Sequence, residues 1–352
     1  MNIFSNTKIP SSKSRGRDTE QTVSDKKFIL LTVLTVSGFL IAGLINLWFP
    51  QVADLKISPY EIFGGVTLNI NQVYRLVLGG LILLYLGIAV FSWFDADRRK
   101  KFKYRVAFRF VMGLALAIWD ILGTKLMILP QPFFPGPARI LEAFLMESDY
   151  ILQNTLYSLR LFTVGFLLGV VFGVCTGVLI GWFPKVYYWV YPVLKISGVI
   201  PAVAWMPFAL TLFPKPFTAA VFLIVICAWF PVASLTAAGI SSTPKTYFEV
   251  ARTLGAKTPY LVFRVAIPHA MPNIFTGITT ANAFAFTTLV MAEMMGQPGG
   301  LGYYINASKV WSAYYKVFAA ILVMAVLFSL IMKIMGLIQN RVLRWQKGLV
   351  RL

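Results

Sequence analysis

The segment YFEVARTLGAKTPYLVFRVAIP, residues 247–268, lies between two long hydrophobic runs and carries charges, a glycine and a terminal proline. Its first half repeats apolar residues at the spacing of one helix face: Tyr247, Val250, Ala251 and Leu254. Gly255 follows, and glycine takes the left-handed conformation that closes a helix without a steric penalty. The segment therefore predicts a short amphipathic helix, a turn and a second helix outside the bilayer.

Helix-start signals occur twice in this region. Thr243 precedes Pro244 and Thr258 precedes Pro259, which is the order of a capping hydroxyl and a proline in the first helical turn. Pro268 is predicted to stop the second helix, because proline lacks the N–H that a helix interior requires. The whole element is predicted to cover residues 243–268.

The composition is that of a polytopic membrane protein. Of the 352 residues, 58% are hydrophobic and 13% are charged, whereas soluble domains are about 45–50% apolar and about 25% charged. A helix needs about 20 apolar residues to cross the hydrocarbon core. This rule predicts about eight spans, at 28–49, 74–94, 106–129, 158–182, 186–213, 217–240, 274–295 and 317–337. The first span follows a polar tail without a small-residue cleavage site, so we expect a retained anchor.

The basic residues orient these spans. Lysine and arginine concentrate in the tail 1–27, in the loop 95–109, in the segment 243–268 and after residue 332, whereas the opposite loops carry Lys56, Arg139, Lys215 and Lys309. By the positive-inside rule, both termini and the segment 243–268 face the cytoplasm. The net charge of +19 then reflects topology and attraction to anionic membrane lipid. Nucleic acid is not expected as a partner.

The apolar stripe of residues 247–254 has two possible uses. It is either a docking surface for another protein, or an amphipathic face that lies on the inner leaflet or packs against the protein's own helices. The residues alone favour neither.

A family resemblance bears on this choice. Glu249-Val250-Ala251, Gly255 and Val265-Ala266-Ile267-Pro268 have the spacing of the EAA loop of bacterial ABC importer permeases, with conservative replacements at Val250, Val265 and Ile267. Three other segments resemble core helices of that family: SLRLFTVGFLLGVVFGVCTGVLIGWF, YPVLKISGVIPAVAWMPFAL and VMAEMMGQPGGLGYYINAS. The last is typical of the subfamily that imports nitrate, bicarbonate, taurine and alkanesulfonates. The resemblance covers residues 119–337.

The resemblance implies an all-α polytopic protein of the inner membrane, with a methionine-permease-like, six-helix type I importer core and two extra N-terminal helices. It divides the chain into a tail (1–27), the extra helices with their polybasic loop (28–105), the permease domain (106–340) and a C-terminal tail (341–352). The expected partners are ABC ATPase subunits, a second permease subunit, most simply a second copy, and an extracytoplasmic solute-binding protein. The expected substrate is a small oxyanion such as nitrate, bicarbonate or a sulfonate, moved by alternating access.

The chain itself is expected to be non-catalytic and to bind no cofactor, with ATP held by the partner ATPase. The sequence has no G-x-x-x-x-G-K-[ST] phosphate loop. In this family the EAA loop inserts into a cleft of the ATPase. Carried over to this sequence, the coupling residues are Glu249, Ala251, Arg252, Leu254, Gly255 and Pro268.

Ionisable and polar groups within the spans are candidates for the translocation pathway, because such groups are costly in a membrane and often functional. Asp120, Lys125, Arg160 and Glu293 fall in the outer halves of their spans, and we expect Arg160 to pair with Glu293. Arg160, Lys125 or Lys195 would help an anion enter; the alternative is that these acids and bases neutralise one another. The full set of pathway candidates is Arg160, Trp205, Met206, Asn282, Thr287 and Glu293.

Other classes of protein fit the sequence less well. The alternative function is a stand-alone secondary transporter or channel for a small anion, which should show an internal repeat of spans or midplane charges; neither is visible. A membrane enzyme would need a cluster of nucleophile, base or metal ligands. The single histidine, His269, and the two cysteines, Cys175 and Cys227, do not supply one.

Overall fold

The computed structural model describes residues 24–50, 60–62 and 66–345. Most of the two predicted tails, and Lys56, lie outside the described residues. Contact clustering divides the chain after Leu141 into two compact units, and each is described by itself.

The first unit is built from three long helices and one short one. Its helices are α1 (Asp25–Trp48), α2 (Ile70–Trp93), α3 (Ala96–Tyr104) and α4 (Val106–Asp120), which continues into a π-helical turn (Ile121–Lys125). A small antiparallel hairpin that the sequence did not predict joins α1 to α2: β1 (Tyr60–Ile62) pairs with β2 (Val66–Leu68), with Tyr60 opposite Leu68. Helix α1 packs against both α2 and α4. A Cβ on Gly113 of α4 would lie 2.4 Å from the backbone of Gly38, so these two helices touch through their main chains.

Each of the two charges of the third predicted span has a hydrogen-bond partner inside this unit. Asn46 of α1 donates its side-chain amide to Asp120 Oδ2 at 2.9 Å, and Lys125 Nζ donates to the backbone oxygen of Asn46 at 2.9 Å. All three residues are buried. Asp120 and Lys125 thus share Asn46 of α1 as a partner. The expected alternative was direct pairing of acids with bases, and no ion pair between these two residues is among those of the described part of the chain.

The second unit contains the remaining long helices. In chain order, and beginning with the helix that contains the boundary residue, they are α5 (Pro137–Met146), α6 (Ser148–Trp182), α7 (Pro184–Val199), α8 (Ala202–Leu212), α9 (Pro216–Ser241), α10 (Lys245–Thr253), α11 (Thr258–Tyr260), a π-helical segment (Leu261–Ala266), α12 (Ile267–Met294), α13 (Leu301–Val310) and α14 (Tyr314–Val342). Their core is the contact of α6, α9 and α12. Small and branched apolar residues fill it, among them Leu161, Ile224, Ala228, Val232, Ala285 and Leu289.

A row of glycines sets the distance between α6 and α9. Gly165, Gly169, Gly173, Gly177 and Gly181 recur at every fourth position of α6. A Cβ at any of the five would lie within 2.6–2.7 Å of an α9 atom. Because that distance is well inside van der Waals contact, only glycine allows this helix separation. We call this row the α6 glycine row.

Among the described residues, seven helices are long and apolar enough to cross a membrane, and the bent pair α7–α8 makes up to eight. This confirms the predicted all-α polytopic fold. The fifth predicted span is not one helix, because α7 and α8 meet at 107°. The break lies at Pro201, whose preceding residue Ile200 takes the extended conformation that a following proline favours. Pro192 and Pro207 lie inside α7 and α8 and do not interrupt them.

The prediction that Pro268 ends a helix is wrong. The chain from Thr258 to Met294 is helical throughout, so the second short helix of the 243–268 element and the following span form one continuous rod. Pro268 lies at the second position of α12, directly after the π-helical segment. A local π-type adjustment accommodates the missing N–H of a proline without breaking the helix.

Candidate functional site

An open groove of about 970 Å³ lies between α10 and the beginning of the α11–α12 rod. We call it the α10 groove. Its lining is mainly apolar and includes two basic side chains, Lys257 and Arg264. The other lining residues are Tyr247, Val250, Ala251, Leu254, Gly255, Ala256, Pro259, Tyr260 and Val265. Four residues predicted to form one stripe, at positions 247, 250, 251 and 254, therefore share a surface.

The stripe is uncovered within the described part of the chain. Tyr247 is 53% exposed, Val250 is 61% exposed and Leu254 is 82% exposed, and α10 has no buried residue. The opposite side of α10 is anchored by Phe248, whose ring meets that of Trp182 edge-on at 5.3 Å. The apolar stripe is thus held outward, rather than packed against the protein's own helices.

Gly255 gives α10 a rigid end. Its φ is +82°, its N–H bonds the oxygen of Arg252 at 2.9 Å, and the N–H of Ala256 bonds the oxygen of Ala251 at 3.0 Å. These two bonds are the pair that defines a Schellman motif, which satisfies carbonyl groups at a helix end. The left-handed conformation predicted at Gly255 is confirmed.

The predicted caps at the helix starts are wrong by one position. Helix α10 begins at Lys245, with Pro244 and not Thr243 as its N-cap residue, and no side chain caps it. Thr243 instead donates to the oxygen of Gly239, in the last turn of α9, at 3.5 Å. Thr258 is the first residue of α11, after Lys257 at the N-cap.

Three charged side chains of this element are available for contacts with another molecule. Glu249 and Arg252 are exposed on α10, as is Arg264 on the facing segment. None of the three forms an ion pair with another described residue. Of the predicted coupling residues, Ala251, Leu254 and Gly255 line the groove, whereas Glu249, Arg252 and Pro268 do not. Pro268 lies in α12.

The six pathway candidates do not form one site. Met206, Asn282 and Glu293 are buried. Asn282 donates to the sulfur of Met332 at 2.9 Å, and Trp205 packs at the edge of the main core. Thr287 is exposed and bonds only the oxygen of Ala283 among the described groups.

Thr287 lines a cavity of about 380 Å³ at the α7–α8 break. Pro201, Cys227, Phe230 and Thr288 also line it, and the walls come from α7, α8, α9 and α12. Broken helices at membrane depth are tolerated where they line a cavity. Of the six pathway candidates, Thr287 alone belongs to this lining.

The predicted Arg160–Glu293 ion pair is wrong. Glu293 Oε2 accepts from the N–H of Gly302 at 2.8 Å, while the guanidinium of Arg160 lies 5.4 Å from the ring centre of Phe217. The first turn of α13 offers unsatisfied N–H groups, which are better partners for a buried carboxylate than a charge that must leave water.

Two side chains that the sequence analysis missed complete this arrangement. Asn154 Oδ1 accepts from the N–H of Gly300 at 2.9 Å, and Ser158 Oγ accepts from the N–H of Leu301 at 2.8 Å. Together with Glu293 they satisfy three consecutive N–H groups at the beginning of α13. The signal for this contact was the glycine-rich stretch 299–302 within the segment VMAEMMGQPGGLGYYINAS.

Comparison with known proteins finds a matching family and several relatives. Residues 165–344 match the family described as "Binding-protein-dependent transport system inner membrane component". The putative aliphatic sulfonates transport permease protein SsuC of Bacillus subtilis is 31% identical over 261 residues, which is 72% of this chain and 94% of that protein. The nitrate import permease protein NrtB of Synechococcus elongatus is 30% identical over 215 residues, 58% of this chain and 74% of that protein. Among solved structures, an inward-facing MetNI methionine ABC transporter aligns over 56% of this chain and 97% of its own, with TM-score 0.49 and 22% identity.

Proposed function

Because the chain belongs to the family of binding-protein-dependent transport system inner membrane components, we propose that it is the permease of an ABC importer for a small oxyanion. The oxyanion class is supported by the two relatives, which are described as permeases for aliphatic sulfonates and for nitrate. Both substrates carry a negative charge delocalised over three oxygen atoms. The substrate is delivered by a solute-binding protein on the outer side.

The α10 groove is the docking site for the ATPase subunit. The observation that carries this proposal is the uncovered stripe of Tyr247, Val250 and Leu254 on a helix with a rigid end. An apolar helix face rimmed by charges is a common way for a helix to seat in a partner's cleft. Leu254 and Ala251 provide the apolar seat, and Glu249 and Arg252, which are exposed outside the groove lining, provide further polar contacts.

The remaining parts of the assembly follow from this role. The permease does no covalent chemistry, and ATP is bound and hydrolysed by the ATPase pair. Two permease subunits, most simply two copies of this chain, enclose the route. ATP binding closes the ATPase pair, which moves the two α10 helices together and re-orients the helices around the route. The basic segments, including the loop 95–109, contact anionic lipid of the inner leaflet.

Both termini and the α10 groove face the cytoplasm, by the distribution of lysine and arginine. Cysteine accessibility tests this orientation in a variant in which Cys175 and Cys227 are replaced by serine. In the variant Thr253→Cys, the new cysteine is expected to react only with thiol reagents that cross the membrane. In the variant Lys309→Cys, it is expected to react with thiol reagents that do not cross the membrane. The reverse pattern would overturn the orientation.

Co-purification with the cognate ATPase tests the docking site. Leu254→Ala is expected to lower the amount of retained ATPase by roughly tenfold or more, since burying a leucine at an interface contributes about 1.5–3 kcal/mol. Phe263→Ala is the matched control, because Phe263 is also exposed, at 68%, but does not line the groove. Glu249→Lys is expected to weaken retention as well.

Two results would contradict the proposal. Equal retention by the Leu254 and Phe263 variants would show that the groove is not the contact. Transport by the purified chain in liposomes without ATP or ATPase would identify a stand-alone transporter instead.

A further inference from the structure

A second pocket, of about 580 Å³, lies in the first unit where α2, α3 and α4 meet. We call it the α3 pocket. Five basic residues belong to its lining, namely Arg98, Lys100, Lys101, Arg105 and Arg109, and no acidic residue does. The other lining residues are Ile88, Ser92, Phe102 and Tyr104. This combination favours an anionic ligand with an apolar portion.

Arg109 is the buried charged residue of this pocket, and one of its donors has no partner. It is only 9% exposed, although it carries a charge. Its guanidinium is sandwiched between aromatic rings, 4.5 Å from the centre of Phe102 and 5.1 Å from that of Tyr85. Its Nη1 is buried and has no hydrogen-bond partner. Leaving a buried charged donor unpaired is destabilising, so an acceptor at this position would be strongly favoured.

The charges around the pocket are only partly compensated by the protein. Arg98 Nε lies 3.0 Å from Asp95 Oδ2, and Arg99, which is outside the pocket lining, pairs with Asp25 at 2.6 Å. Lys101, Arg105 and Arg109 form no ion pair with any described acidic residue. The pocket therefore keeps a net positive charge that fits a phosphate group, which arginine binds through paired N–H donors.

The position of the pocket indicates which kind of molecule carries that phosphate group. It lies between the end of α2 at Trp93 and the beginning of α4 at Val106, and both α2 and α4 are candidate membrane spans. The ends of two adjacent spans lie at the membrane surface, at the depth of the headgroups. Near these helix ends Phe91, Phe94 and Phe108 are exposed, as expected of side chains that face lipid. Basic pockets between membrane helices at this depth bind lipid headgroups.

We propose that the α3 pocket is a specific binding site for the phosphate headgroup of an anionic phospholipid, with Arg109 at its floor and Lys101 and Arg105 at its rim. This inference deepens the proposed contact between the polybasic loop and anionic lipid. It does not depend on the substrate or on the docking of the ATPase.

Lipid binding to the delipidated full chain in detergent tests the proposal, with native mass spectrometry as the readout. The probes are phosphatidylglycerol and phosphatidylcholine. Lys101→Gln and Arg105→Gln are each expected to weaken phosphatidylglycerol binding by about fivefold, the effect of one basic residue near a membrane surface. Lys103→Gln is the matched control, since Lys103 is exposed on the same helix but does not line the pocket; it is expected to change binding by less than about twofold. Phosphatidylcholine should bind weakly to every variant.

Arg109→Lys keeps the charge and removes the fork of donors, so it is expected to lower phosphatidylglycerol binding while leaving the chain monodisperse. Undiminished binding by this variant would overturn the role of Arg109. An equal loss in the Lys103 and Arg105 variants would show diffuse attraction without a site. Displacement of the lipid by millimolar inorganic phosphate or glycerol 3-phosphate would identify a soluble anion as the ligand and overturn the lipid assignment. Retention of the ATPase by these variants is measured separately. A result that overturns the lipid site therefore leaves the importer proposal intact.

Discussion

The α6 glycine row makes a quantitative prediction for Gly173→Ala. The new Cβ would lie 2.6 Å from Val232 Cβ and 2.7 Å from its Cγ1, whereas carbon atoms attract one another best at about 3.5–4.0 Å. Either α6 and α9 separate by about 1 Å, or Val232 leaves its rotamer and the neighbouring glycine contacts loosen. Overpacking of this kind costs about 1–3 kcal/mol, and alanine returns up to about 1 kcal/mol through its better helix propensity. We expect a net loss of about 1–2 kcal/mol.

The free energy of unfolding is measured in bicelles by titration with a denaturing detergent. Gly336→Ala on α14 is the matched control, because a Cβ there meets no atom within 4 Å; its stability should be unchanged or higher by up to about 1 kcal/mol. Adding Val232→Gly to Gly173→Ala should restore space, so the two substitutions should show favourable coupling. If the Gly173 and Gly336 variants are equally stable, α6 and α9 are not as close as the structure has them.

Three further substitutions have definite expected outcomes. Gly255→Ala should cost about 1–2 kcal/mol, because its φ is +82° while no atom lies within 4 Å of the new Cβ; a stability equal to that of the wild type would contradict the Schellman end of α10. Gly300→Ala should impair folding strongly in a protease-protection assay, since φ is +109° and the Cβ would lie 2.4 Å from the carboxyl carbon of Glu293; normal protection would refute this contact. Tyr304→Phe should lower the unfolding free energy by about 1 kcal/mol, because the buried hydroxyl donates to Glu147 at 2.7 Å; a neutral result in the same denaturation assay would show that this bond contributes nothing.

Hydrophobic length and charge distribution were sufficient to predict the polytopic fold, because the membrane imposes strong rules on both. The turn at Gly255 was equally predictable, since glycine has a conformational reason to be there. The stripe on α10 could be recognised from spacing alone, but its exposure could not. That exposure depends on Phe248 turning towards Trp182, a contact between residues far apart in the chain.

The errors have separate physical origins. Pro268 and the helix-start prolines were interpreted by rules for soluble helices, whereas a π-helical segment carries the chain through Pro268 without a break. The Arg160–Glu293 pair was inferred from opposite charges at similar depth. The carboxylate instead binds the N–H of Gly302, and sequence spacing does not reveal which of several donors a buried acid will meet. The α3 pocket also required the structure, because the burial of Arg109 distinguishes it from the other basic residues of its loop.

The uninterrupted helix from Thr258 to Met294 has a mechanical consequence. Its 37 residues extend for about 55 Å at about 1.5 Å per residue, of which the hydrocarbon core takes up about 30 Å. One end forms a wall of the α10 groove, and near the other end Glu293 binds the first turn of α13. A stiff lever of this length, tilted by about 10° about one end, moves its far end by about 10 Å. A small angular stroke at the groove is therefore enough to displace the opposite end of the permease by about the diameter of a helix.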